Sequence, residues 1–129
     1  MTWELSDKEM QGVYGASDEK RYSYFVGHVA DWGEAWSLKH GDSWASLTDA
    51  GNRYFPVWPH PGFAKENVAG EWSDHEVAPF TVDSFLDWLD SLTEMGGSVA
   101  LFRREDGDFI TVPPGSLKAD LQAALDEVR

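Results

Sequence analysis

The chain of 129 residues contains no cysteine, which excludes disulfides, thiolate metal ligands and a cysteine nucleophile, and suits a reducing compartment. Basic residues are scarce: 10 Lys and Arg stand against 23 Asp and Glu, a formal net charge of −13 at pH 7. Such a surface repels phosphate backbones and anionic lipid, so neither nucleic acid nor a membrane is expected as a partner. No apolar run approaches the ~18 to 20 residues needed to cross a bilayer. Met1 to Asp7 carries neither a basic head nor an apolar stretch, so no secretory signal is expected and the cytoplasm is the expected location.

Patterned chemistry is missing as well. His28, His40, His60 and His75 fall in no His-x-His, His-x-x-x-His or His-Glu-x-x-His spacing, and no metal or other cofactor is expected. His60, His75, Glu71 and Asp74 could still assemble in space, although ordinary hydrogen-bonding histidines are the simpler reading. No serine sits in a Gly-x-Ser-x-Gly elbow, Gly96-Gly97 is isolated, and Gly115-Ser116 lacks the lysine of a phosphate loop. Catalysis is therefore not expected.

What is present is a globular pattern, 42% hydrophobic and 14% aromatic, of a size for one domain over residues 1–129, with 1–16 reading as an N-terminal extension. Ser6 and Glu9 have capping-box spacing and predict a helix from Asp7 to Tyr14 stopped by Gly15. A second helix starts at Ser17 and carries Tyr22, Phe25, Val26, Val29 and Ala30 to an end at Asp31 to Gly33. Ala35 to Lys39 and Ser43 to Thr48 flank Gly41-Asp42 as a hairpin, and Asp49 to Asn52 turns into a third strand, Arg53 to Trp58, in meander order. Tyr54-Phe55-Pro56-Val57-Trp58-Pro59-His60-Pro61 packs three prolines among aromatics and reads as a stiff strand end entering a turn. A short helix over 62–69 follows. Thr81 opens the clearest helix, with Val82, Phe85, Leu86, Leu89 and Leu92 on one face and Gly96-Gly97 at its end. Ser98 to Arg103, a turn at Glu105 to Asp108, and Phe109 to Val112 form a second hairpin. The last helix has Leu117, Leu121, Ala124, Leu125 and Val128 on one side. The expected fold class is α+β: a single domain of about five mainly antiparallel strands, in one mixed sheet, with four or five helices packed on it.

The order of these signals resembles a small bacterial family catalogued as domain of unknown function 2750. The carriers are Ala30-Asp31-Trp32, the Trp36 and Trp44 hairpin, Pro56-Val57-Trp58-Pro59, Gly70-Glu71-Trp72, Phe85 to Leu92 and Val99-Ala100-Leu101-Phe102, over about Tyr22 to Val128. The resemblance implies the fold and no catalytic residues. The architecture is also distantly similar to the enhanced-serine-sensitivity domain and to some small toxin-immunity proteins.

Two functional readings follow. On the helix from Thr81, Asp83, Asp87, Asp90 and Glu94 recur opposite the apolar face with no base from Val82 to Glu94. An unpaired acidic stripe fits a non-enzymatic binding protein that recognises a basic protein partner, most concretely a toxin-neutralising immunity protein. A merely solvated face is the simpler reading of the same stripe. The alternative is a small-molecule-binding module or modest enzyme, with a pocket at Trp58, His60, Trp72 and His75. Against that stands the reading of Trp32, Trp36, Trp44, Trp58, Trp72 and Trp88 as mostly core.

Overall fold

The computed structural model describes residues 4–104 and 106–128. Helix α1 (Asp7–Tyr14) begins where the Ser6 to Glu9 spacing places it, because Ser6 Oγ accepts the Glu9 amide at 3.1 Å. Helix α2 (Asp18–Trp32) is capped the same way by Ser17, which accepts from the Lys20 amide at 3.3 Å. Helix α4 (Val82–Met95) starts with Thr81 Oγ1 accepting the Ser84 amide at 3.2 Å and ends at Gly96, whose φ of +75° suits the residue without a Cβ. Helix α5 (Pro114–Val128) buries Leu117, Leu121 and Leu125. Fully buried Phe25, Val29, Phe85, Leu89, Leu101 and Leu121 belong to one core shared by helices and strands.

The strands form two sheets. In the first, β1 (Glu34–His40) turns at Gly41-Asp42 into β2 (Ser43–Trp44), and its other edge pairs antiparallel with β5 (Glu76–Thr81), from Glu34 opposite Thr81 to Lys39 opposite Glu76. The second has the order β3 (Leu47–Asp49), β4 (Asn52–Val57), β6 (Ser98–Leu101) and β7 (Ile110–Val112), with β4 and β6 parallel. Mainly antiparallel strands with five helices, among the described residues, make this a single α+β domain, in the expected class.

Three expectations are corrected. The described strands number seven rather than about five, they lie in two sheets rather than one, and the three-stranded meander is not formed. The expected Ser43 to Thr48 strand is split: Ser43-Trp44 pairs with β1, whereas Leu47 to Asp49 pairs with β4. The reason is Pro56. Trp36 and Trp58 exchange backbone hydrogen bonds, Trp36 N to Trp58 O and Trp58 N to Trp36 O, each 2.8 Å. An antiparallel ladder continuing from that bridge would next put Leu38 opposite Pro56, which has no N–H to donate. The Leu38 carbonyl instead accepts from the Ala45 amide at 2.8 Å, and the Pro56 carbonyl accepts from the buried Ser37 hydroxyl at 2.6 Å.

β5 is absent from the sequence reading. Its Pro79 speaks against a central strand, and the structure resolves this by placing β5 at the sheet edge. The short helix α3 (Pro61–Lys65) stops before the expected 69, where the Asn67 side chain turns back to donate to the Phe63 carbonyl at 3.2 Å. In the expected turn at 105–108, Glu105 lies outside the described residues, and Asp106 Oδ1 accepts the Asp108 amide at 2.9 Å.

Candidate functional site

A pocket of about 850 Å³ opens between the segment Ser46-Leu47-Thr48 on one side and Asn67, the 3-10 turn Gly70–Trp72 and Arg103 on the other. Arg103 occupies this wall because of what precedes it. Phe102, fully buried, has φ +54°, an uncommon conformation for a bulky residue, and its amide donates to the Val57 carbonyl at 3.2 Å. Strand β6 ends there and the chain turns. The Arg103 carbonyl then accepts from Trp58 Nε1 at 3.0 Å, so the buried tryptophan fixes the arginine backbone from behind.

The Arg103 side chain is held on two sides. Its guanidinium lies 4.6 Å from the centroid of the Trp72 ring, a cation–π contact of about 0.5–2 kcal/mol depending on desolvation. Its Nη1 donates to Asn67 Oδ1 at 3.2 Å, and Asn67 is only 1% exposed. Asn67 thereby links the Phe63 carbonyl at the α3 end to the guanidinium, with both amide atoms used. Arg103 Nε, in contrast, is buried and has no partner among the described residues. A buried donor left unmet costs about 1–3 kcal/mol, more where the group is charged.

Of the four residues expected to share a pocket, only Trp72 lines this one. Trp58 is fully buried behind it. His60 caps α3, its Nδ1 accepting the Gly62 amide at 2.9 Å, and lies near enough to His28 to disfavour its protonation. His75 belongs to a different cluster: its Nδ1 is 2.8 Å from Asp74 Oδ1, its ring centroid is 5.6 Å from that of His40, and His40 Nδ1 is 3.1 Å from the Asp74 carbonyl. The hydrogen bond from His75, above all, holds the Asp74 carboxyl below its ordinary range. The expectation of one site at Trp58, His60, Trp72 and His75 is thus corrected, since α3 and the 3-10 turn carry the two histidines into separate neighbourhoods. Among the described residues no group of three or more His, Asp or Glu is arranged to hold a metal ion.

The acidic residues of α4 are all exposed, on the face away from Val82, Phe85, Leu89 and Leu92. They are not an unpaired row. Lys118 Nζ of α5 lies 2.6 Å from Asp90 Oδ2, and Asp83 is likewise engaged within the chain. The missing cation came from another helix, which spacing along α4 alone does not reveal.

Arg103 and Asn67 were missed in the sequence, where each looks ordinary. The available signals were an arginine directly after the apolar run Val99 to Phe102, in a chain poor in bases, and an asparagine between the apolar Ala64 and Val68.

Fold and pocket together define a small α+β domain whose polar recess is built around a stacked arginine and tryptophan. The chain belongs to the family described as protein of unknown function (DUF2750), whose model matches residues 22–121. The matched span starts at Tyr22, as the resemblance implied, and includes Asn67, Trp72 and Arg103. No curated protein matches the chain significantly. No helix among the described residues is long and apolar enough to cross a membrane.

Proposed function

We propose that the protein is a binding module that holds a small polar molecule in the recess between Ser46-Leu47-Thr48 and the Arg103–Trp72 pair. The observation that carries this reading is the guanidinium fixed between the Trp72 face and a fully used, buried Asn67. Ordering a long cationic side chain costs conformational entropy, and an arginine free to swing into water would avoid that cost. The recess volume of about 850 Å³ falls in the range of about 300–1,000 Å³ common to small-molecule sites. Its other polar groups, Ser46, Thr48 and Glu71, offer hydrogen bonds without a histidine base among the described lining residues, which favours binding over turnover.

The test is thermal melting of the full chain against a panel of small polar metabolites. A ligand at a hundred times its Kd stabilises by about 2.7 kcal/mol, enough to read as a clear rise in Tm. Thr48→Trp, which obstructs the exposed side of the recess, is expected to abolish the rise. A panel with no stabilising member, or stabilisation untouched by Thr48→Trp, overturns the reading.

A second reading keeps the acidic face of α4 as a docking surface for a basic protein, in its most concrete form a toxin neutralised by this chain. Exposed Asp87 and Glu94, on a protein of net charge −13, favour it. Reversal of both to lysine would then weaken capture of a basic partner and flatten its salt dependence; unchanged affinity and salt slope sink the idea.

A further inference from the structure

We infer that the ligand of this recess carries a single carboxylate, clasped by the Nε and Nη2 edge of Arg103. The inference rests on the recess being a binding site and goes on to name what it binds.

The geometry of the guanidinium decides which edge is available. Nη1 is committed to Asn67 at 3.2 Å, and one π face is covered by Trp72 at 4.6 Å. The remaining edge, Nε with Nη2, presents two parallel N–H bonds spaced to match the two oxygens of a carboxylate. Nε is the buried donor that has no partner among the described residues, so an oxygen reaching it after a small side-chain adjustment meets an unmet group rather than displacing an existing bond. Lysine at this position would offer a point charge and no such fork.

Charge limits the ligand further. Arg103 is the one cation among the described lining residues, Glu71 is an anion on the same wall, and the chain as a whole carries −13. A monoanion placed on Arg103 is matched one for one. A phosphate dianion or a dicarboxylate leaves a second negative charge facing Glu71 and the protein's overall field, with no cation among those residues to receive it. Open polar walls at Ser46 and Thr48 suit a ligand whose remainder is neutral and hydrogen-bonding.

The experiment compares matched pairs on the unmodified protein: benzoate with benzamide and N-acetylglycine with its amide, alongside succinate and inorganic phosphate, all at constant ionic strength. Nitrogen-15 NMR follows the Arg103 side-chain Nε–H signal and the backbone amides of Ser46, Thr48 and Trp72. The expected result is that the carboxylates bind about tenfold or more tightly than their amides, the difference one charged hydrogen bond makes, and shift the Nε–H signal while the amides do not. Phosphate and succinate bind more weakly than the monocarboxylates, and Glu71→Gln narrows that gap. Arg103→Lys loses the preference for carboxylate over amide.

If amides and carboxylates perturb the Ser46, Thr48 and Trp72 signals equally and leave Nε–H unmoved, the carboxylate assignment is overturned while the recess stands as a site. Silence from every probe at those signals removes the site and the inference with it. Phosphate or succinate binding as tightly as benzoate overturns the single-charge rule.

Discussion

Trp36 and Trp58 bind each other through two backbone hydrogen bonds of 2.8 Å, and this isolated bridge ties the β2-β1-β5 sheet to the four-stranded sheet. Its two members lie differently. Trp58 is fully buried and passes its indole N–H on to the Arg103 carbonyl at 3.0 Å, whereas Trp36 is partly exposed on β1. One short contact therefore connects the junction of the sheets to the wall of the recess.

Ser37 is the residue that makes Pro56 tolerable at this junction. Its hydroxyl donates to the Pro56 carbonyl at 2.6 Å with both residues buried, replacing a ladder bond that the proline cannot continue. Ser37→Ala is expected to lower stability by about 1–3 kcal/mol, because the carbonyl is left without a donor out of reach of water. Urea unfolding should show a lower midpoint with an unchanged slope. A loss below experimental error means the carbonyl finds another donor.

The turn from β3 to β4 holds a stored cost that a substitution can release. Ala50 and Gly51 both have positive φ, +52° and +83°, between the paired residues Asp49 and Asn52, which is the pattern of a type I′ hairpin. Glycine adopts it freely, but alanine pays about 1–2 kcal/mol for the left-handed region. Ala50→Asn creates the favoured Asn-Gly pair and is expected to stabilise by about 0.5–1 kcal/mol, raising Tm by a few degrees. A lower Tm would mean that the alanine conformation is supported by contacts beyond the turn.

How much of this was legible in the sequence depended on whether the deciding interaction was local. Ser6, Ser17 and Thr81 bond to amides three residues on, and Gly33 and Gly96 end their helices by conformation, so each helix could be read from its own segment. The division into two sheets hung on Pro56 being unable to pair with Leu38 across the fold, and β5 on lying at an edge where Pro79 is harmless; neither is visible in a window of neighbouring residues. The same limit applied to the site. Trp72 was named because an aromatic is conspicuous, while Asn67 and Arg103 acquire meaning only once 36 positions of chain fold back to join them.

Asn67 offers a direct measure of that join. Its amide nitrogen donates to Phe63 and its oxygen accepts from Arg103, both at 3.2 Å. Asn67→Ala removes both bonds, and a loss of about 2–3 kcal/mol is expected from two buried hydrogen bonds and the groups they leave unmet. Asn67→Asp should be milder on the Arg103 side, since a carboxylate still accepts, but leaves the Phe63 carbonyl without its donor. Hydrogen exchange at the residues from Phe63 to Trp72 should quicken in both variants; unchanged exchange would show that Asn67 does not organise the corner.

On α4, where the acidic residues are all exposed, an ion pair separates the one that matters to stability from those that do not. Asp87 and Glu94 are solvent-facing, so Asp87→Lys with Glu94→Lys should change unfolding free energy by no more than about 0.5 kcal/mol per site. Asp90→Lys should cost more, from a few tenths to about 1 kcal/mol, because it sets a cation beside Lys118 where a 2.6 Å ion pair stood. Added salt should shrink the Asp90 effect. Equal effects at the three positions would show that the Lys118 pair contributes nothing in solution.

His28 is half-buried on α2, its ring 4.1 Å from that of Tyr24, whose hydroxyl donates to Glu9. Burial, the largest influence, pushes the imidazole below its ordinary pKa of about 6.5; Glu9 and Asp31 oppose the shift and His60 adds to it. With a lowered pKa in the folded state, the unfolded chain binds the proton first as pH falls. Stability is therefore full above about pH 6.5 and declines as pH drops through that value toward the lowered one. His28→Gln cannot titrate, so its unfolding free energy should fall less steeply than the wild type between about pH 7 and pH 5. Asp74, also lowered, acts below its ordinary 3.8 and stays out of this window. Parallel stability curves for the two proteins would show that His28 titrates alike in the folded and unfolded chain.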